Sequence, residues 1–177
     1  MSDHAIIQEV LSGNVEAFSR LVDRHYDRCA RIALRIVGNR EDAEEAVQDA
    51  FLRAYRALGS YEDRERFSAW LTRILVNQCR TLLARAQKRE AVFSDLDLRD
   101  AELVVERPGV APSWPELDRA LAQLSSDQRE AVVLRYSDDL TYDEMARITG
   151  VGESALKMRV QRAFARLRAL LEEVPNV

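Results

Sequence analysis

Between Ser154 and Arg168 stand Lys157, Arg159, Arg162, Arg166 and Arg168, with Gln161 among them and no acidic residue. Lysine and arginine bond guanine acceptors or backbone phosphates and glutamine pairs with adenine, so the set has the chemistry of a duplex-reading surface. Its spacing divides it. Leu156, Val160, Ala163, Leu167 and Leu170 step round one helical face by threes and fours, which marks that face as inward. Ser154, Lys157, Met158, Gln161 and Arg162 are left on the opposite face for base edges, with Arg159 and Arg166 at its flanks for phosphate. A basic helix end favoured by its own macrodipole is the plainer account of such charge. The neighbouring residues argue for DNA. "TYDE" at Thr141 to Glu144 is a capping box that opens a short helix with Met145, Ala146 and Ile148 as apolar contacts, and Gly150 and Gly152 supply a turn before the basic helix. That is the helix-turn-helix plan.

Two further charge segregations lie in the first half. "EDAEEAVQD" places Glu41, Asp42, Glu44, Glu45 and Asp49 within nine residues without a base. Taken alone, this is a solvated face suited to a helix N-terminus. Phe67 to Arg89 holds Arg73, Arg80, Arg85, Lys88 and Arg89 without an acid. Arg66, Arg73, Asn77, Arg80 and Thr81 are expected on one flank, opposite a stripe of Trp70, Leu71, Ile74 and Leu75. A cationic flank with a central amide suits single-stranded or melting DNA, and Tyr61 in the preceding loop is available for stacking.

Helices must position all three sets. Periodicity predicts one near Asp3 to Leu11, one from Val15 to Val37 stopped by Gly38, one from Arg40 to Leu58 behind a possible Asn39 cap, and one carrying the stripe from Phe67 to Leu83,. Ala91 to Pro112 breaks the pattern and contains Pro108, Gly109 and Pro112, as a linker does,. Helical signals resume with capping-box patterns at "SWPE" (Ser113 to Glu116) and "SSDQ" (Ser125 to Gln128),. The expected architecture is all-α: two small helical domains, residues 1–90 and 113–177, joined by a flexible linker over 91–112, the second being the helix-turn-helix domain.

Composition excludes several classes. With 47% hydrophobic and 32% charged residues in 177, and a formal net charge of -4, the chain fits a globular protein rather than a disordered one,. Every apolar run is cut well short of the roughly 20 residues of a membrane span, and the start has no signal-peptide pattern, so the cytoplasm is the expected compartment. Cys29 and Cys79 have no metal-ligand spacing and read as core thiols,. His4 and His25 lack a paired nucleophile or carboxylate constellation, and no Gly-rich phosphate loop occurs, so neither an enzyme nor a metal or other cofactor is expected.

Three stretches, "AFSRLVDRHYDRCARIALRIVGNREDAEEAVQDAFLRAYRAL", "FSAWLTRILVNQCRTLLAR" and "LSSDQREAVVLRYSDDLTYDEMARITGVGESALKMRVQRAFARLR", occur in this order and resemble the extracytoplasmic-function class of bacterial RNA polymerase sigma factors over nearly the whole chain. The resemblance implies sigma region 2 in the first domain and region 4 in the second. It implies core RNA polymerase and promoter DNA as partners, together with an anti-sigma factor. Glu41, Asp42, Glu44, Glu45, Gln48 and Asp49 match the helix that docks on the polymerase clamp. The loop Gly59 to Glu65, with Tyr61, matches the segment that captures a flipped minus-ten base, and Asn77 matches an asparagine beside that pocket; the cationic flank of Arg66, Arg73 and Arg80 is then expected on the minus-ten DNA with them. Ser154, Lys157, Met158, Arg159, Gln161, Arg162 and Arg166 belong to the minus-thirty-five reader. The chain carries "GESALKMR" where many members have a proline-containing start. A helix-turn-helix regulator that never docks on polymerase is the rival reading. The chain ends at Val177, so an appended sensory domain is not expected.

Overall fold

The computed structural model describes residues 2–62, 66–93, 115–137 and 140–172, and among these the chain is all-α, with eight α-helices and no strand. In chain order they are α1 (Asp3–Leu11), α2 (Phe18–Val37), α3 (Arg40–Ala57), α4 (Phe67–Phe93), α5 (Pro115–Ala122), α6 (Ser126–Ser137), α7 (Tyr142–Thr149) and α8 (Glu153–Glu172).

The local signals act where they stand. Val15–Ala17 forms a 3-10 turn before α2, so the helix expected from Val15 is tightened over its first three residues. Gly38 ends α2 at φ 85°, a left-handed conformation that disfavours a residue with a Cβ,. The Asn39 side chain then accepts the Asp42 backbone N–H at 2.9 Å and starts α3,. Ala43, Ala46, Ala50 and Ala54 are buried along α3, small enough to let it lie close to α2 and α4, its packing partners. The last helical turn of the Arg40 to Leu58 expectation is again 3-10, over Leu58–Ser60. Helix α4 continues to Phe93 and so takes in the first three residues of the linker expected from Ala91; residues 94–114, including the Ser113 cap, lie outside the described residues.

Leu21, Cys29, Ile32 and Ile36 of α2 and Leu71, Leu75, Cys79 and Leu82 of α4 fill the first domain, all buried. A buried Leu or Ile of this kind contributes about 1.5–3 kcal/mol. Trp70 departs from the expected stripe. Seven residues before Asn77, it stands on the same side of α4 as that amide, and it is buried there because Tyr61 and Phe67 cover it, with ring centroids 5.2 and 5.6 Å away. His25 is buried, 2.9 Å from an Asp3 carboxylate oxygen and close to the Phe67 ring.

In the second domain the capping boxes form at Ser125/Gln128 and Thr141/Glu144. Ala120, Leu121, Leu124 and Val132 pack with Ala163 and Leu167 of α8 in a small core of their own. The rest of the domain's apolar surface is shared. Leu134, Leu140, Met145, Ile148 and Leu156 belong to one continuous buried cluster with the α2, α3 and α4 residues; α6 lies against α2 and α7 against α4. Arg129 of α6 ties the seam from the side, donating to the carbonyls of Leu121, Ala122 and Leu124 in its own domain and of Ile36 across it. Burial lowers its pKa from the ordinary arginine value.

Candidate nucleic-acid interface

Helix α8 presents the expected faces. Leu156, Val160, Ala163 and Leu167 are buried, and Ser154, Lys157, Met158, Gln161, Arg162 and Arg166 are all exposed. Arg159 is half-buried, and its guanidinium reaches the Asp127 carboxylate of α6 at 2.9 Å. Lys157 lies over the Tyr142 ring at 5.5 Å and 3.8 Å from Glu153, one turn back. Exposed pairs of this kind are worth about 0–1 kcal/mol and yield readily to a better partner. Helix α8 starts at Glu153 without a proline, directly after Gly150 has closed α7 in the left-handed region at φ 73°. The glycine stop, rather than a proline start, sets the turn between the two helices.

The acidic residues of α3 face outward too. Glu41, Glu44, Glu45 and Gln48 are exposed, while Asp42 and Asp49 are half-exposed. Arg40 pairs with Glu44 at 2.6 Å within the helix, and Arg85 of α4 comes to 3.6 Å from Glu45. Alongside, an open groove of about 560 Å³ runs between α3 and α4, lined by Asp49, Leu52, Arg53, Arg56, Ile74 and Asn77 among others. Asp49 of the expected docking face and Asn77 of the expected minus-ten face therefore border one depression. Leu52, which sequence reading passed over, is about half exposed beside them. Its signal was an apolar residue standing off the Val47, Phe51, Leu58 stripe.

The minus-ten set is brought together in part. Arg66 and Asn77 are exposed and Arg73 and Arg80 half-buried along one flank of α4. The Thr81 hydroxyl donates to the Asn77 backbone carbonyl, leaving the amide side chain outside that bond. Tyr61 is half-buried, its ring edge-on to Phe67 at 5.8 Å and tilted on Trp70, so one part of it is committed to the core. Residues 63–65 of the loop are outside the described residues.

Two of the arginines have partners in the other domain, which sequence reading did not anticipate. Arg80 Nε and Nη2 donate to the two carboxylate oxygens of Glu130 at 2.8 and 2.7 Å, and Nη1 donates to the Thr149 carbonyl at 3.1 Å. Donating to the Glu130 carboxylate raises the Arg80 pKa against the effect of burial. Arg66 is paired with Glu144. Burial acts to raise the Glu144 pKa, but the Thr141 backbone N–H, Arg66 and the Thr141 hydroxyl outweigh it and hold the carboxyl below the usual range. Under the Arg80 pair lies Cys79, whose thiol is pushed up to about 12 by burial and by the charge of Glu130. Cys29 and Cys79 are both fully buried, as expected of core thiols.

Residues 21–89 match sigma-70 region 2 and residues 115–167 match sigma-70 region 4. The ECF RNA polymerase sigma factor SigM of Mycobacterium tuberculosis is 35% identical over 170 residues, covering 96% of this chain and 85% of that one. The chain belongs to the ECF sigma factors. The ECF sigma-E factor of Escherichia coli is 33% identical, over 92% of this chain and 91% of its own. Among solved structures, the sigma factor RpoE of Bartonella quintana in complex with the anti-sigma factor NepR superposes with a TM-score of 0.73 at 29% identity, covering 89% of this chain and 98% of that one. CnrH in complex with the cytosolic domain of CnrY gives 0.69 at 30% identity, covering 98% and 99%. As an ECF sigma factor the chain binds core RNA polymerase and promoter DNA and directs transcription initiation; the regulator reading is not favoured. No described helix is long and apolar enough to cross a membrane.

Proposed function

We propose that this sigma factor divides its work among three helices: the acidic face of α3 docks on core polymerase, the Arg66, Arg73, Asn77 and Arg80 flank of α4 holds the melted minus-ten element, and the outer face of α8 reads the minus-thirty-five element. The observation that carries this is α8 itself. Behind a glycine-closed helix-turn-helix junction, four long polar or basic side chains and Met158 stand in solvent on one face while the apolar face is buried, the arrangement a helix needs to enter a major groove. The groove beside Asn77 supports the α4 assignment, since a base drawn from the stack needs a receiving depression and costs a few kcal/mol to extract,. The proposed domain limits are those of the sequence reading, residues 1–90 and 113–177.

The same reading makes the chain a non-enzyme acting in the cytoplasm, where polymerase and promoters are. An anti-sigma factor as a further partner is supported by two similar structures, in which RpoE is bound to NepR and CnrH to the cytosolic domain of CnrY. The test is runoff transcription from a genomic promoter library with purified core polymerase. The chain plus core is expected to give discrete start sites that core alone does not. Loss of those starts in an Asn77→Ala chain that still binds core would support the α4 role, and retention would remove it.

A further inference from the structure

A lysine is an imprecise reader of a base edge. Its ammonium rides on a flexible four-carbon stem and lacks the planar fork that gives an arginine its direction. Lys157 stands on the exposed face of α8, where that freedom would spread its charge over several base pairs. Two groups restrain it. Its Nζ lies 5.5 Å from the centre of the Tyr142 ring and 3.8 Å from a Glu153 carboxylate oxygen. The two restraints are unequal. Glu153 is about half exposed, one turn back on the same helix, so water and salt screen its hold. Tyr142 is fixed from three directions. It is the first residue of α7, directly after the Thr141 cap, whose capping box with Glu144 is complete. Its ring is half-buried against the apolar cluster. The Arg135 guanidinium lies 5.5 Å from the ring centre while its Nη1 donates to the Leu140 carbonyl at 3.0 Å. A tyrosine has only two side-chain torsions, so this packing leaves the ring a rigid bracket.

We propose that Tyr142 is a positioning residue for minus-thirty-five recognition: its ring attracts the Lys157 ammonium and aims it at one base pair, so that part of the specificity of α8 is set from α7. This rests on the reading of the outer face of α8 as the minus-thirty-five reader. A ring face suits the task because it draws the charge through its quadrupole without replacing a guanine acceptor. A carboxylate competes for the same N–H donors that must reach O6 and N7. Arg162, on the same face, carries its own planar fork and needs no bracket. The ring therefore matters at the base pair read by Lys157 and not at the one read by Arg162.

The test uses the full chain with core polymerase and the strongest promoter from the genomic runoff library, carrying every single-base substitution across its minus-thirty-five element in turn. Lys157→Ala and Arg162→Ala first locate the positions that the two residues read. Tyr142→Leu then keeps an apolar side chain against the core and keeps the lysine charge, but removes the ring. It is expected to lower the preference at the Lys157 position about three- to fivefold, the worth of an exposed cation–ring contact. Preference at the Arg162 position and the salt slope of binding should not change, since no charge is lost. Tyr142→Phe keeps the ring and is expected to match wild type at every position. In a Lys157→Ala chain, Tyr142→Leu should have no further effect on preference, because nothing is left to position. A loss spread over all positions would make Tyr142 an ordinary packing residue, and a phenylalanine variant as relaxed as the leucine one would transfer the effect to the hydroxyl; either overturns the proposal. So does an equal relaxation in Glu153→Gln, which would give the restraint to the carboxylate. If Lys157→Ala relaxes one position and Tyr142→Leu leaves it intact, the bracket falls and the reading of α8 stands. If Lys157→Ala relaxes no position, base reading by Lys157 falls and takes the bracket with it.

Discussion

Arg162 and Arg166 sit one turn apart on α8, both in solvent, but at different distances from the helix start that enters the groove. Arg162→Ala is expected to relax preference at one minus-thirty-five position by about 1–3 kcal/mol if the contact is bidentate. Arg166→Ala is expected to weaken all sites alike and to reduce the salt slope by about one. Binding of the full chain with core polymerase to single-base promoter variants at several salt concentrations distinguishes them; matching uniform losses would mean that α8 supplies charge and DNA shape supplies specificity. These residues were legible because a helix exposes its register in the spacing of its apolar positions. Arg80 was only half legible. Its place on the cationic flank follows from three- and four-residue steps, but Glu130, 50 residues away, is joined to it by docking of one domain on another, which no local pattern encodes. Tyr61 misleads for a related reason: a loop aromatic looks available until Phe67 and Trp70 are folded against it.

At the scale of the helix, the acidic charges of α3 can be separated from its packing, because the core contacts run through Ala43, Val47, Ala50, Phe51 and Ala54. Glu45→Lys with Asp49→Lys is expected to abolish most core polymerase binding in a pull-down while leaving far-UV helix content unchanged. The Arg85 to Glu45 pair that it breaks is exposed and long at 3.6 Å, worth little to folding. Unchanged capture would return this face to plain solvated surface. Thr141→Ala removes one half of the α7 capping box and is expected to cost about 1 kcal/mol by chemical denaturation,. Helix limits were the most readable feature of the sequence. Asn39, Gly38, Thr141 and Gly150 each act through the backbone groups next to them, so chemistry and position coincide. The errors fell where a helix tightens into 3-10 geometry at Val15–Ala17 and Leu58–Ser60, or runs on, as α4 does to Phe93: propensity does not mark the last hydrogen bond of a helix.

The molecule as a whole carries a pH dependence that belongs to its seams. His25, between α1 and α2, has a pKa lowered chiefly by burial, with Asp3 acting in the opposite sense. The unfolded chain therefore takes up this proton first, and stability falls as pH drops from about 6.5. Glu144, held below the usual carboxylate range, adds a second loss at lower pH, present above the unfolded carboxylate value near 4.3 and lost on acidification through the folded one. Thermal unfolding is expected to be flat from pH 7 to 8 and to decline in two stages below. His25→Gln should remove the upper stage alone; an unaltered profile in that variant would assign it elsewhere. What the sequence did not disclose at this scale is that the two domains share one apolar cluster, since residues such as Leu134 and Met145 fit an interior of either size. One buried thiol makes that arrangement observable without any added label. A thiol with pKa about 12 is ionised to about one part in ten thousand at pH 8, against roughly a quarter for an ordinary cysteine,. Burial supplies most of that suppression and the charge of Glu130 adds to it, so the maleimide modification rate of Cys79, read by mass spectrometry, is expected to quicken when polymerase or DNA draws Glu130 and the second domain away.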